Sequence, residues 1–299
     1  MRAVNLPLVL GAVVSLLVVG VPDAQRFRTT VDAVHVSTIV THRGRPVTGL
    51  TARDFEILDN GVPQLVQLVD RATVALDVIL VLDASSSISR AEMEPKLRAA
   101  SHAALAQLRA VDRAALVHFS HHVSVVSPFT SDLADLQSKM YRSAPAGSTA
   151  MFDALLAALM TASPEPTRRT LLILFTDGLD TISWHSGADV LGVASRSDVV
   201  VHAVAREPRK RGSVDTPFDR EHRAVWRFLG ELADATGGGR AHVDMDRLPE
   251  TFREIVQRFA EGYQLLFYPQ GVERTGWHKL TIRLRGRAGQ VQARRGYQG

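Results

Sequence analysis

Three oxygen-bearing side chains follow an apolar run in the first third of the chain. Residues 76–82 are apolar except for Asp77, and Asp83, Ser85 and Ser87 come next in the pattern D-x-S-x-S. A short run rich in Val, Ile and Leu is typical of a strand that is buried on both faces of a parallel sheet. Because ligands bind beyond the carboxyl ends of such strands, we predict that these side chains belong to a ligand site.

A carboxylate and hydroxyl groups on one tight loop suit a hard divalent cation. Mg²⁺ prefers oxygen ligands in near-octahedral geometry and usually retains several waters. One charged and two neutral ligands are few for such an ion, so further oxygen ligands are expected from other parts of the chain. Thr149 stands just before a helical pattern, and Asp177 follows a second apolar run at residues 171–175. Both residues are therefore candidate ligands.

The combined pattern resembles a known metal site. Five positions in this order resemble the metal-ion-dependent adhesion site (MIDAS) of von Willebrand factor type A domains: Asp83, Ser85, Ser87, Thr149 and Asp177. The resemblance covers residues 75–260. The segment before it, with V-x-G-L-x-x-x-D-F at residues 47–55 and the Asn60-Gly61 turn, resembles the leader region of secreted bacterial proteins related to this family. Many relatives carry Gly-Ser-Met after the first Ser, whereas this chain has Ser86, Ser87 and Ile88, which leaves the ligand positions intact.

The resemblance implies a metal-dependent binding module and not an enzyme. Ser85, Ser87 and Thr149 would contact the cation directly, and Asp83 and Asp177 would do so directly or through water. The cation would be Mg²⁺, with Mn²⁺ or Ca²⁺ as alternatives. One coordination position would be open to an Asp or Glu carboxylate of a protein ligand. Because few charged groups of the chain touch it, the cation would stay Lewis-acidic toward that carboxylate.

The elements that must position these residues alternate between strands and helices. Strand patterns occur at residues 76–82, 114–119, 123–128, 171–175, 199–205 and 240–243. Helical patterns occur at residues 93–108, 133–141, 153–160, 188–195, 221–235 and 249–260, with a basic loop at 207–218. Alternation of this kind predicts an α/β domain with a Rossmann-like, doubly wound and mostly parallel sheet. We place this domain at residues 73–261.

Both ends of the chain carry β patterns instead. In the first segment, residues 34–40 and 55–58 are predicted strands, and the Asn60-Gly61 turn is followed by a predicted returning strand at 65–69. In the last segment, residues 263–268 and 279–285 alternate between apolar and polar side chains. Gly286 and Gly289 are predicted to frame a hairpin that leads to residues 291–293.

Neither terminal segment is long enough to bury a core alone. We therefore predict that residues 25–72 pair with residues 262–299 in one small antiparallel β-sandwich. The α/β domain would then be inserted into this β domain.

The first 24 residues are typical of a secretory signal peptide. Arg2 supplies a positive charge, residues 8–21 are largely apolar, and Ala24 offers a small residue at a cleavage point. An uncleaved N-terminal anchor is the alternative interpretation. We find no other stretch long enough to span a bilayer. We therefore expect a secreted, periplasmic or cell-envelope protein.

The composition excludes several classes of chemistry. The chain has no Cys, which excludes disulfides and thiol chemistry. The formal net charge is +4, with acidic and basic residues mixed along the chain, which argues against a nucleic-acid-binding protein. The sequence contains neither a G-x-S-x-G nucleophile motif, nor a zinc-binding H-E-x-x-H motif, nor a phosphate-binding P-loop.

The remaining candidates for catalysis are three histidines. His118 falls on a predicted strand, and His121 and His122 fall on a turn, so structural or exposed histidines are the favoured interpretation. Three functions therefore remain open. The first is metal-dependent binding of a protein ligand. The second is a structural or assembly scaffold whose metal site is vestigial or only stabilising, and the third is a hydrolase.

Overall fold

The computed structural model describes residues 33–69, 74–85, 93–140, 147–162, 165, 167–176, 179–206 and 216–299. The region Asp32–Gly299 forms one compact unit. The predicted signal peptide at residues 1–24 lies outside the described residues. Within the described ranges, none of the helices is both long enough and apolar enough to cross a membrane.

The described elements begin with strands, continue as an alternation, and end with strands. The strands are β1 (Val34–His42), β2 (Arg45–Pro46), β3 (Phe55–Asp59), β4 (Val62–Gln64), β5 (Gln67–Val69), β6 (Ala75–Asp83), β7 (Arg113–Phe119), β8 (Val123–Thr130), β9 (Arg168–Thr176), β10 (Val200–Arg206), β11 (Gly239–Val243), β12 (Tyr263–Phe267), β13 (Trp277–Leu284), β14 (Gln290–Ala293) and β15 (Gly296–Gln298). The α-helices are α1 (Met93–Leu105), α2 (Leu133–Lys139), α3 (Met151–Thr161), α4 (Gly187–Ala194), α5 (Pro217–Thr236) and α6 (Leu248–Glu261).

The central sheet has six strands in the order β11-β10-β9-β6-β7-β8. All neighbours are parallel except β7 and β8, which form an antiparallel pair. Helices cover both faces of this sheet. Alternate residues of β6 point to opposite faces, so β6 contributes to a separate hydrophobic cluster on each side. Val78 and Leu80 pack in a cluster with α1 and α6, and Ile79 and Val81 pack in a cluster with α3, α4 and α5. The predicted α/β fold with a mostly parallel sheet is confirmed.

Asp77 is the polar exception in the apolar strand β6. Its side chain is 3% exposed and lies between two arginines of the neighbouring strands. The Arg113 guanidinium donates to both carboxylate oxygens, at 3.0 and 2.7 Å, and Arg168 Nε donates to Oδ1 at 2.7 Å. The hydrogen bond to Asp77 raises the pKa of Arg113 above its ordinary value. This ion cluster joins β7 and β9 to β6 at the amino end of the sheet.

Strands from both ends of the chain pair in two antiparallel sheets. One sheet has the order β14-β1-β12-β5, with β2 added beside β1, and the other has the order β15-β13-β3-β4. Val36 and Leu265 of the first sheet share one hydrophobic cluster with Phe55 and Leu280 of the second. The two ends of the chain therefore bury apolar side chains together.

The predicted returning strand at residues 65–69 is wrong. The returning strand is β4, which follows the Asn60-Gly61 turn directly and pairs with β3. Asn60 and Gly61 have φ values of 47° and 85°, and a two-residue turn of this kind closes a hairpin without further residues. Strand β5 pairs with β12 in the other sheet instead.

The predicted hairpin between residues 279–285 and 291–293 is also wrong. Strand β13 pairs with β3 and β15, whereas β14 pairs with β1. The chain therefore crosses from one antiparallel sheet to the other within the turn that contains Gly286 and Gly289. Alternation of apolar residues predicted both strands, but it carries no information on which strand is the partner.

Helix α5 begins four residues before its predicted start at residue 221. Thr216 and Asp219 form a reciprocal capping box at its N-terminus, and Pro217 occupies the first turn. The prediction placed Thr216 and Pro217 in the basic loop at 207–218, whose residues 207–215 lie outside the described part of the chain. At the other end, Gly237 closes the helix with a φ of 79°, a left-handed conformation that suits glycine.

A buried polar cluster holds the second antiparallel sheet together. Asp59 is fully buried and accepts hydrogen bonds from the Tyr297 hydroxyl at 2.8 Å and from His278 Nδ1 at 2.9 Å. Burial raises the pKa of Tyr297, and its hydrogen bond to Asp59 raises it further. The folded protein therefore holds this phenol in its neutral form.

Replacing Tyr297 with phenylalanine is expected to lower the free energy of unfolding by about 1–3 kcal/mol, because the buried Asp59 loses a donor. The raised pKa also makes the contribution of Tyr297 pH-dependent. It is fully present below the unfolded-state pKa of about 10 and is lost as the pH rises above that value. Urea unfolding at about pH 8 and pH 11 measures both effects. Tyr297→Phe should lose less stability than the wild type between these pH values.

Tyr268→Phe is the matched control, because Tyr268 is 44% exposed. This variant should follow the wild-type pH dependence. An equal alkaline loss of stability in the wild type and in Tyr297→Phe would contradict the role given to the Tyr297 phenol.

Candidate metal site

The candidate site lies at the carboxyl-end edge of the six-stranded sheet. The chain runs outward from β6 through β7 to β8, and then resumes on the other side of β6 with β9, β10 and β11. The strand order therefore reverses between β6 and β9, and open α/β sheets bind ligands at such a switch point. Asp83 is the last residue of β6, and Thr176 is the last residue of β9.

Asp83 is held from two sides at this switch point. The residue is only 2% exposed. The backbone N–H of Ser85 donates to Asp83 Oδ1 at 2.9 Å, and the Thr176 hydroxyl donates to Oδ2 at 3.1 Å. These bonds orient the carboxylate and connect the end of β6 to the end of β9.

Thr149 lies on the loop that precedes α3 and is 5% exposed. Its backbone N–H donates to Thr181 Oγ1 at 2.9 Å, and its carbonyl accepts from the Thr181 N–H at 2.8 Å. Thr181, in the loop after β9, therefore binds both the backbone N–H and the backbone carbonyl of Thr149.

One short segment at the carboxyl end of β7 anchors the loops that carry Asp83 and Thr149. The N–H of Ala84 donates to the Phe119 carbonyl at 2.7 Å, and the N–H of Ala150 donates to the Ser120 carbonyl at 2.8 Å. Phe119 and Ser120 are consecutive residues. The residues that follow Asp83 and Thr149 are therefore hydrogen-bonded to neighbouring carbonyl groups of one segment. The structure thus brings both loops to the same edge of the sheet.

Asp180 reinforces this arrangement in a way that the sequence did not specify. Its Oδ1 accepts from the N–H groups of Met151 and Phe152, at 2.7 and 3.1 Å, and from the Ser183 hydroxyl at 2.5 Å. A carboxylate at a helix N-terminus satisfies free N–H groups and complements the helix dipole. Asp180 therefore caps α3, although Met151, the first residue of that helix, precedes it by 29 positions.

Two of the five predicted ligands, Ser87 and Asp177, lie outside the described residues. The other three are all buried at the switch-point edge, with Asp83 at 2%, Ser85 at 1% and Thr149 at 5% exposure. Within the described ranges, no group of three His, Asp or Glu side chains is arranged to hold a metal ion. The assignment of all five residues to one cation therefore stays a prediction.

The described donors fit a hard divalent cation. Asp83 offers a carboxylate, and Ser85 and Thr149 offer hydroxyl groups. Polar side chains this deeply buried must be satisfied by hydrogen bonds or by an ion. Oxygen ligands with a low total charge are what Mg²⁺ accepts when waters complete its coordination.

The three histidines occupy the positions that the sequence predicted. His118 lies in β7, and burial lowers its pKa to about 4, so it is neutral at pH 7. His121 and His122 lie in the turn between β7 and β8, with their ring centroids 4.4 Å apart. His121 also packs against the backbone of Gly147, where an added Cβ would come within 2.8 Å of its Nδ1. This histidine therefore borders the loop that carries Thr149.

Comparison with known proteins agrees with this architecture. Residues 78–179 match the family model of the von Willebrand factor type A domain. No curated protein matches the chain at a significant level.

Solved structures with a similar fold come from varied sources. A von Willebrand factor type A protein from Catenulispora acidiphila matches with a TM-score of 0.51 and 15% identity, over 88% of this chain and 73% of that chain. Proximal thread matrix protein 1 from the mussel byssus matches with a TM-score of 0.52 and 19% identity, over 67% of this chain and 49% of that chain. The byssus protein has also been solved with a zinc-occupied MIDAS motif. At these identities the likeness shows the fold.

Proposed function

We propose that this chain, which carries a von Willebrand factor type A domain, is a metal-dependent module that binds a protein ligand. The cation would be held by the side chains of five residues: Asp83, Ser85, Ser87, Thr149 and Asp177. An Asp or Glu carboxylate of the protein ligand would complete the coordination of the cation. The cation is a divalent ion, with Mg²⁺ as the first choice and Mn²⁺ or Ca²⁺ as alternatives.

The observation that carries this proposal is the placement of Asp83. A buried carboxylate ends the central strand at the switch point of the sheet, and the Ser85 amide and the Thr176 hydroxyl orient it. Burying a carboxylate is costly unless hydrogen bonds or an ion compensate it, and a cation at this edge would add to the hydrogen bonds that Asp83 accepts. The zinc-occupied MIDAS motif of the byssus protein is in line with a divalent cation.

The residues of the chain would divide the work of binding. Asp83 would supply negative charge, and Ser85 and Thr149 would supply neutral oxygen ligands that leave the cation electron-poor. Asp180 and Thr181 would hold the Thr149 loop against α3, so that little reorganisation accompanies binding. The bound cation would supply the positive charge that attracts a carboxylate of the ligand.

Export and domain arrangement belong to the same proposal. The charged, apolar and small-residue pattern of residues 1–24 supports export to the cell envelope or beyond. Pairing of β1 with β12 and β14, and of β3 with β13, supports a β-sandwich built from residues 25–72 and 262–299. The metal-binding domain, at residues 73–261, would be inserted into that β domain.

The proposal is tested by affinity capture from an extract of the producing organism's cell envelope. The immobilised chain should retain a specific protein in the presence of Mg²⁺ and release it when EDTA removes the cation. The Thr149→Val variant, which loses a proposed ligand oxygen but keeps a similar shape, should retain much less of that protein. Capture that is equal with Mg²⁺, with EDTA and with the variant would instead support a scaffold whose metal site is vestigial.

A further inference from the structure

The loop between β9 and α4 exposes two large apolar side chains next to the proposed metal site. Trp184 is 95% exposed and Ile182 is 47% exposed. Tryptophan is highly buried on average in folded proteins, so a nearly fully exposed one is informative. We infer that Trp184 and Ile182 form an anchoring surface for a partner segment that carries a large apolar side chain close to its metal-binding carboxylate. This inference rests on the proposed function.

The position of the loop supports this inference. The N–H groups of Thr181 and Ile182 both donate to the carbonyl of Thr149, at 2.8 and 3.3 Å. Ile182 is therefore hydrogen-bonded directly to the backbone of Thr149, a proposed cation ligand. Trp184 follows Ile182 by two residues in the chain. Since consecutive Cα atoms are about 3.8 Å apart, an extended partner would place its apolar side chain about two to four residues from its carboxylate.

The end of the loop at Trp184 and His185 is also held in a defined conformation. Asp153, in the first turn of α3, accepts from the N–H of Trp184 at 3.0 Å and from the N–H of His185 at 3.1 Å. The His185 ring lies against the same carboxylate, with Nδ1 2.7 Å from Asp153 Oδ1. A surface that is already ordered loses little conformational entropy on binding, and tryptophan adds a large contact area with few rotatable bonds.

The described acids around the loop are paired within the protein, and the proposed cation is the group that would attract a partner's carboxylate. Three described carboxylates reach the loop. Asp153 accepts from Trp184 and His185, Asp180 accepts from the N-terminus of α3, and Asp189 accepts from the backbone N–H and hydroxyl of Ser186. Although burial opposes it, hydrogen bonds from Trp184 and His185 lower the pKa of Asp153, so this acid stays ionised and paired. The exposed ring of His185, next to Trp184, does not repel an approaching Asp or Glu.

The test uses a displayed library of random 12-residue peptides with one fixed Asp. Selection on the purified full chain with Mn²⁺ should enrich Trp, Phe, Leu or Ile about two to four positions from that Asp. A peptide enriched in this way should bind Trp184→Ser about 30-fold more weakly than the wild type by fluorescence polarisation, as expected for an interface hot spot. Both proteins should lose the peptide in EDTA.

Met160→Ser is the matched control, because Met160 is 77% exposed and lies at the opposite end of α3. This variant should bind the peptide as the wild type does. Metal-dependent enrichment of Asp peptides without an apolar preference, or equal affinity in Trp184→Ser, would overturn the anchoring surface and leave the proposed function intact. Failure to enrich any EDTA-sensitive peptide would contradict the proposed function and, with it, this inference.

Discussion

Replacing Asp83 with alanine is expected to weaken the binding of Mg²⁺ and Mn²⁺ by more than about 100-fold, because even groups that only orient metal ligands contribute 10–100-fold to affinity. Asp83 is the one described carboxylate among the proposed ligands, and Ser85 and Thr176 orient it. Isothermal titration calorimetry of the wild type and the variant measures the change directly. Because the Ser85 amide and the Thr176 hydroxyl lose their acceptor, the substitution should also lower the free energy of unfolding by about 1–3 kcal/mol.

One control variant and one further measurement separate loss of the metal site from loss of the fold. Asp189→Asn removes an exposed carboxylate that caps α4 near the same edge of the sheet, and it should leave cation binding unchanged. Circular dichroism should show that Asp83→Ala is folded at the temperature of the titration. Unchanged affinity in a folded Asp83→Ala protein would show that the cation binds elsewhere or that Asp83 has a structural role only.

Replacing Asp77 with alanine is expected to have the largest effect on stability, a loss of about 3–5 kcal/mol in the free energy of unfolding. The substitution leaves Arg113 and Arg168 without their shared carboxylate, and the Arg168 side chain is only 13% exposed. Chemical denaturation followed by circular dichroism measures the loss, and a loss of this size is a large fraction of the stability of an ordinary domain.

Glu165→Ala is the control for the ion cluster around Asp77. Glu165 also pairs with Arg113, at 3.1 Å, but its side chain is 43% exposed. Exposed pairs contribute about 0–1 kcal/mol, so this variant should remain close to the wild type. Similar losses in Asp77→Ala and Glu165→Ala would mean that burial of the Asp77 carboxylate does not set the strength of the cluster.

The central sheet was predictable because its signal is local. The apolar run before Asp83 and the run at residues 171–175 mark strands buried on both faces, and both are strands β6 and β9 in the structure. Such strands end in loops at one edge of the sheet, which is why a carboxylate and hydroxyl groups after them indicate a ligand site. The ends of most elements differ by only a few residues from the predicted ones.

The pairing of the terminal strands was predictable only in part. Alternation at residues 34–40 and 279–285 predicts strands with one buried face, and both exist as β1 and β13. The choice of partner depends on contacts between residues more than 200 positions apart, such as Val36 with Leu265. Alternation therefore led to a hairpin of β13 with β14, whereas these strands belong to different sheets.

By itself, the sequence determined the fold class, the apolar strands of the central sheet and the residue types that suit a hard cation. Tertiary structure alone decided that Asp180 caps α3, that the Phe119–Ser120 segment anchors both candidate loops, and that Trp184 is exposed on the loop whose Thr181 and Ile182 bind Thr149. The physical reason is that strand and helix patterns follow from the spacing of neighbouring side chains. Caps, anchors and exposure instead follow from which distant segments the sheet places side by side.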